Sequence, residues 1–296
     1  MTASPTGIPS RTSFRRSSCL PSGTRRRDDG KGRCRQVRVA IITGASSGLG
    51  REYALWADTQ GYDQIWLVAR REGRLRELAT SLSTESRWFS LDLAERGSVK
   101  RLEDELRRES DRPDFQVALL VNAAGFGKFA NVEDMSLEQT DALVDLNCRA
   151  VADVTRVCLP YLGRGSRVLQ LASCAAFQPL PGLDLYAASK AFVLSYTRGL
   201  RLELRGRGIR ITAVCPIWVK TEFNKVARSS AGEGQTTVRH TFPNLSPHHV
   251  VRWSWRINSI NYPVATCAVS SFVMRIAGKV LPAPVVMEVW QLLRRL

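Results

Sequence analysis

The stretch LDLYAASKAF, residues 183–192, sets a phenol and an ammonium four positions apart among small, helix-compatible residues. On a helix, positions i and i+4 share a face one turn apart, so Tyr186 and Lys190 project into the same volume. Such a pair is either a solvated helix face or a tuned acid. As an acid it has a physical basis: a cation one turn away favours the phenolate and draws a group with an ordinary pKa near 10 toward proton transfer at neutral pH. Ser173 stands thirteen residues before Tyr186, at the end of the apolar run SRVLQLAS (166–173).

A second cluster is TGASSGLG, residues 43–50, which continues the apolar run VRVAIITGA (37–45). Gly44, Gly48 and Gly50 remove side chains where a strand-to-helix turn lets a pyrophosphate approach the backbone, and the next helix offers free N–H groups and a positive dipole end. Ser46, Ser47 and Leu49 belong to the same turn and are expected at the cofactor with it. A lone glycine triplet is weak evidence; one that follows the first buried strand and opens a helix stands in the right context. About twenty residues on, where NAD sites place a carboxylate for the ribose hydroxyls, the chain reads VARREGR. Arg70 and Arg71 in place of an acid suit a 2′-phosphate, so the expected cofactor is NADP(H).

The elements that must carry these residues are legible as apolar runs at 37–45, 64–70, 87–93, 117–125, 166–173 and 210–216, separated by stretches of helical period and length. Strands this apolar are covered on both faces, and their alternation with helices implies parallel pairing with right-handed crossovers. The expected fold class is therefore α/β, a three-layer Rossmann-type doubly wound parallel sheet in a single domain. After Pro216 the pattern degrades: residues 221–247 carry Gly, Ser, Thr and Pro, and PHHVVRWSWRINSI (247–260) reads as a helix. At the end, Val285, Val286, Val289, Trp290, Leu292, Leu293 and Leu296 form one helical stripe with Arg294 and Arg295 beside it. That stripe packs on the core or a subunit partner, or it attaches to a membrane surface.

Composition bounds the rest. The 296 residues carry a net charge of +16, which invites a nucleic-acid reading. Ten Lys/Arg against Asp28 and Asp29 lie within residues 1–38, however, so half of the excess sits in a Ser-, Pro- and Arg-rich tail without hydrophobic periodicity. Residues 1–36 are read as a disordered basic tail, with an overlong reading frame or an organelle transit peptide as its origin; the apolar run of a secretory signal is missing. Seven cysteines without a C-x-x-C pair point to a reducing, cytoplasmic setting. His240, His248 and His249 have no companions at ligand spacing, are read as surface or loop residues, and imply no metal. No run approaches a membrane span.

With the glycine turn, NAAG at 122–125, Ser173 and the Tyr186–Lys190 pair, the sequence resembles the short-chain dehydrogenase/reductase family, from about Val37 to Thr221 and more loosely to the end. The resemblance implies Tyr186 as general acid/base, Lys190 on the nicotinamide ribose, Ser173 on the substrate oxygen, and Asn147 in VDLNCRA supporting a relay water. It also implies Asp92 and Asn122 near the adenosine half, and Pro216, Val219 and Thr221 at the nicotinamide. Where the family usually has Pro-Gly, this chain reads CPIWVKT, so Ile217 and Trp218 either shape the pocket or merely pack. The expected activity is NADP(H)-dependent interconversion of a carbonyl and a secondary alcohol, the alternative being a cofactor-binding regulator or scaffold without turnover. Residues 37–296 form the domain, with 217–262 as a substrate-covering segment whose aromatics, Trp218, Phe223, Phe242, Trp253 and Trp255, favour a steroid-like or fatty-acyl ketone. A homodimer or higher homo-oligomer is expected, paired through the helices around Tyr186 and before Ser173.

Overall fold

The computed structural model describes residues 36–223 and 244–295; the basic tail, the stretch 224–243 with His240 and Phe242, and Leu296 lie outside the described residues. Strands β1 (Val37–Thr43), β2 (Gln64–Ala69), β3 (Glu85–Ser90), β4 (Phe115–Asn122), β5 (Leu162–Leu171), β6 (Arg210–Cys215) and β7 (Val264–Thr266) form one parallel sheet in the order β3-β2-β1-β4-β5-β6-β7. The order reverses between β1 and β4, and in open sheets the crevice at such a reversal is where ligands bind, at the carboxyl ends of the strands.

Alternate residues of each central strand feed two cores. Ala40, Ile42, Ile65 and Leu67 face α1 (Gly48–Asp58) and α2 (Glu72–Ser81), with Val250 and Val251 of α7 (Pro247–Ser259) in the same layer. Val39, Ile41, Trp66 and Val68 face the other way, toward α3 (Val99–Glu109), α5 (Ala150–Cys158) and the long α6 (Asp184–Glu203). Burial on both faces is why these runs read as continuously apolar. Helix α4 (Leu137–Val144) leads into α5 through a π-type turn at Asp145–Arg149. Two further helices, α8 (Val269–Val280) and α9 (Ala283–Arg295), close the chain.

The structure departs from the sequence reading in three places. Strand β7 has three residues, too few for a periodic signal, and is held by the main chain, Ala213 N–H donating to the Pro263 carbonyl at 3.0 Å. Strand β3 ends at Ser90 because the Asp92 carboxylate turns the chain by accepting from Ala94 N–H at 3.0 Å. Helix α7 forms as expected but contributes no residue to the wall of the active-site cavity: the Tyr53 and Ser254 hydroxyls, 2.6 Å apart, tie it to α1 as part of the frame.

Candidate active site

The glycine turn is built by close approach. Gly44 lies in the left-handed region, and a Cβ on Gly50 would fall 2.2 Å from the Gly44 carbonyl oxygen, so the turn coils too tightly for any side chain there. Thr43 ties it to β4, its hydroxyl accepting from Ala123 N–H at 3.1 Å and Ala124 N–H at 3.2 Å. No side chain caps α1 at Ser47, so its first amides face the crevice, the arrangement that receives a phosphate. Gly44, Ser46, Ser47, Gly48, Leu49 and Gly50 all line one cavity of about 870 Å³ that runs on past Tyr186. These residues fit a dinucleotide.

At the far end of that turn, the Arg71 guanidinium donates to the Ser47 hydroxyl at 2.6 Å, to the Ser46 hydroxyl at 3.2 Å, and to Glu222 at 3.1 Å. Glu222 also binds Arg74 at 2.8 Å, and the two arginines hold its carboxyl below the usual range. Arg70 is more exposed and pairs with Asp92 at 3.4 Å. Arg70, Arg71, Asp92 and Glu222 all line the cavity. Asn122 does not: it is buried in the sheet, its side-chain amide donating to the Thr155 hydroxyl at 3.0 Å and to the Gln170 side-chain oxygen Oε1 at 2.9 Å. Ala123, Ala124 and Gly125 form the cavity wall in its place.

The four residues expected to act at the reacting carbon converge. Tyr186 and Lys190 share the inner face of α6, and the Lys190 Nζ lies 5.7 Å from the centre of the Tyr186 ring while donating to the Leu171 carbonyl at 2.8 Å. Ser173 follows β5, its Oγ accepting from Ala175 N–H at 3.2 Å. Asn147 sits within the π-type turn, accepting from Phe126 N–H at 3.0 Å and donating to the Phe126 carbonyl at 2.9 Å and the Ser189 hydroxyl at 3.0 Å. Ser189 in turn donates to the Tyr186 carbonyl at 2.7 Å, so Asn147 fixes the α6 turn that bears the phenol.

Among the groups of the chain itself, burial dominates the electrostatics of this pair. Burial pushes the Tyr186 phenol above its ordinary value, and the opposing influence is a hydrogen bond from Ser173. Burial also lowers Lys190 to about 8. The reason is geometric: the amine is aimed at a carbonyl, and desolvation penalises both charged forms.

Beyond β6 the chain runs through Pro216, Ile217, Trp218, Val219 and Thr221, all lining the cavity. Ile217 and Trp218 need no glycine: among the described residues the sole non-glycine with positive φ is Asn261. Trp218 stacks on Phe129 with 6.4 Å between ring centres, and Phe223 tilts against Tyr186 at 5.6 Å. Trp253 and Trp255 do not reach the cavity; Trp253 donates to the Thr266 carbonyl at 2.7 Å and Trp255 lies under Arg167 and against Trp56. The cavity is closed instead by α8 and α9, with Met274, Val286 and Trp290 pointing in. Gly278 lets α8 approach the turn after Ser173, since a Cβ there would lie 2.4 Å from the Phe177 carbonyl oxygen. The terminal stripe signalled an apolar contact, but nothing local told that Val286 and Trp290 would face the site. Glu222 had no sequence signal at all.

His248 and His249 lie at the surface, as read from the sequence, on the first turn of α7, bonded at 3.0 Å to Glu52 and to the Cys267 carbonyl respectively.

Comparison with known proteins agrees with this layout. The short chain dehydrogenase family matches residues 38–232. The chain is 38% identical over 194 residues to sulfoacetaldehyde reductase 2 of Chromohalobacter salexigens, covering 64% of this chain and 75% of that protein. It is 30% identical over 202 residues to the very-long-chain 3-oxoacyl-CoA reductase of Anas platyrhynchos, covering 64% and 62% respectively. A short-chain dehydrogenase from Sphingobium yanoikuyae, solved in complex with NADPH, shares the fold with a TM-score of 0.70 at 24% identity, over 82% of this chain and 93% of that one.

Proposed function

Because the chain belongs to the short-chain dehydrogenase/reductase family and is an oxidoreductase acting between carbonyl and CH–OH groups, we propose that it is an NADP(H)-dependent reductase of large apolar ketones, steroid-like or fatty-acyl. The observation that carries this reading is the single cavity joining the glycine turn and Arg71 at one end to Ser173 and Tyr186 in an apolar enclosure. The cofactor, when bound, supplies or accepts the hydride.

The residues of this chain do the rest. The turn 44–50 and the start of α1 receive the pyrophosphate, and Arg71, with Arg70 beside it, receives the 2′-phosphate. Tyr186 donates its proton to the substrate oxygen as that oxygen gains charge, and the Ser173 hydroxyl hydrogen-bonds the same atom. Lys190 holds the nicotinamide ribose. Asn147 keeps the Tyr186 turn in place and supports the relay water. The substrates named for the two relatives, sulfoacetaldehyde and very-long-chain 3-oxoacyl-CoA, differ from each other, so the choice of substrate rests on this chain's own walls: Phe129, Leu180, Leu183, Trp218, Phe223 and Trp290 favour a bulky apolar group.

The active form is a homodimer paired through α4–α6, supported by the exposed Phe192 stacked on Tyr196 with 5.9 Å between ring centres. A cytoplasmic setting is supported by five free cysteines among the described residues. No helix among those residues is long and apolar enough to cross a membrane.

The test is a panel of ketones and alcohols followed by nicotinamide absorbance, with Tyr186→Phe alongside. Turnover should fall by about 10²- to 10⁴-fold while NADP(H) binding holds. Near wild-type turnover in that variant would remove Tyr186 from the chemistry.

A further inference from the structure

Helix α8 carries an apolar stripe that no other element among the described residues covers. Val269, Phe272, Val273, Ile276 and Val280 recur at the spacing of one helix face, a pattern that normally buries its members, yet they are 82%, 51%, 57%, 46% and 73% exposed. Helix α9 extends the patch with Val285, Val289, Leu292 and Leu293, between 47% and 61% exposed. Scattered exposed apolar residues are ordinary; a contiguous set on two successive helices marks an interaction surface. The adjoining edge of the α9 stripe is anchored, with Val286 and Trp290 buried and the Trp290 indole N–H donating to the Pro181 carbonyl at 3.0 Å. The outward side is therefore held outward.

The patch is also the rim of the active-site cavity. Val273, Val289 and Leu293 line that cavity while remaining more than half exposed, so apolar surface is continuous from the outside to Tyr186. Along the described side chains of these two helices Arg275 and Lys279 stand against a single acid, Glu288, in a chain whose net charge is +16.

We propose that α8 and α9 seat the enzyme on an anionic lipid surface, through which apolar substrate enters the cavity directly. Helices with an apolar face and flanking cations lie in the interfacial plane of such membranes. A second copy is the weaker occupant on two counts. A two-fold contact opposes a patch to itself, which here sets like charges against each other, and it would cover the mouth that these residues form.

Co-sedimentation of the full chain with vesicles of phosphatidylcholine alone, or mixed with phosphatidylglycerol, tests this without substrate, so failure of the enzymatic reading would not be mistaken for failure of docking. The probe variant is Phe272→Glu with Ile276→Glu, neither of which lines the cavity; its thermal melt is compared with wild type to establish folding. Wild type should pellet with the anionic vesicles, and keep a large part of that binding at high salt, where the attraction of the basic tail is screened. The double variant should lose binding by about tenfold or more. Equal pelleting of the two proteins would assign binding to the tail and overturn the proposal, as would wild type remaining in solution with both vesicles. Light scattering that shows the double variant dissociating a wild-type oligomer would give the face to a second copy and overturn it equally.

Discussion

Replacing Glu222 by glutamine should tighten NADP(H) and leave NAD(H) nearly unchanged. The Glu222 carboxylate bridges Arg71 at 3.1 Å and Arg74 at 2.8 Å, with all three side chains close to half exposed. Arg71 is the guanidinium assigned to the 2′-phosphate, so a phosphate arriving there must take Arg71 from the carboxylate or accept a like charge beside it. Exposed pairs of this kind contribute about 0.2–1 kcal/mol, and at half exposure the repulsion left after rearrangement is screened by water and salt. Removing the charge should therefore gain up to about 1 kcal/mol, a two- to fivefold lower Kd for NADPH. Glutamine preserves the length of the side chain and one acceptor for Arg74. Fluorescence titrations of both proteins with NADPH and NADH, at low and high salt, read the effect directly, and the difference should shrink as salt rises. A weaker NADPH affinity in the variant would mean that Glu222 positions Arg71 rather than competing for it. Equal changes for the two cofactors would mean that the effect passes through the chain after β6 and not through the phosphate.

Two further substitutions probe the same frame. Lys190, lowered from 10.5 to about 8 by burial, keeps its proton in the unfolded chain up to higher pH than in the folded one, so the desolvation penalty is fully present below about pH 8 and fades as pH rises toward 10.5. Lys190→Met should accordingly stabilise the cofactor-free protein at pH 7 by at most about 3 kcal/mol, less the lost bond to Leu171, and the gain should vanish near pH 10.5; urea melts at the two pH values that showed an equal gain, or a loss at pH 7, would refute the assignment. Gly50→Ala places a Cβ 2.2 Å from the Gly44 carbonyl oxygen, an overpacking that costs about 1–3 kcal/mol and widens the turn, so both the melting temperature and the dinucleotide affinity should drop; an unchanged melt would show that the turn relaxes freely.

How far the chain spells out its own structure depends on the range of the interaction concerned. The glycine turn, the apolar strands and the Tyr186–Lys190 pair were legible because each is a pattern within about ten residues, imposed by the local geometry of a turn, a pleat or a helix. Alternation of those patterns was enough to imply the parallel sheet, and with it the crevice at the carboxyl ends. Only the tertiary structure decided which apolar residues wall the site. Trp253 and Trp255 face the frame while Val286 and Trp290 face the cavity, a distinction that rests on the angle at which a helix docks and leaves no mark in its periodicity. The same holds for Glu222, which meets Arg71 across 151 residues of chain, and for Asn122, which is consumed by a buried network with Thr155 and Gln170. Spacing along the chain records which side chains share a face; what that face meets is set by packing between elements far apart in sequence, because those contacts form only once the whole sheet has assembled.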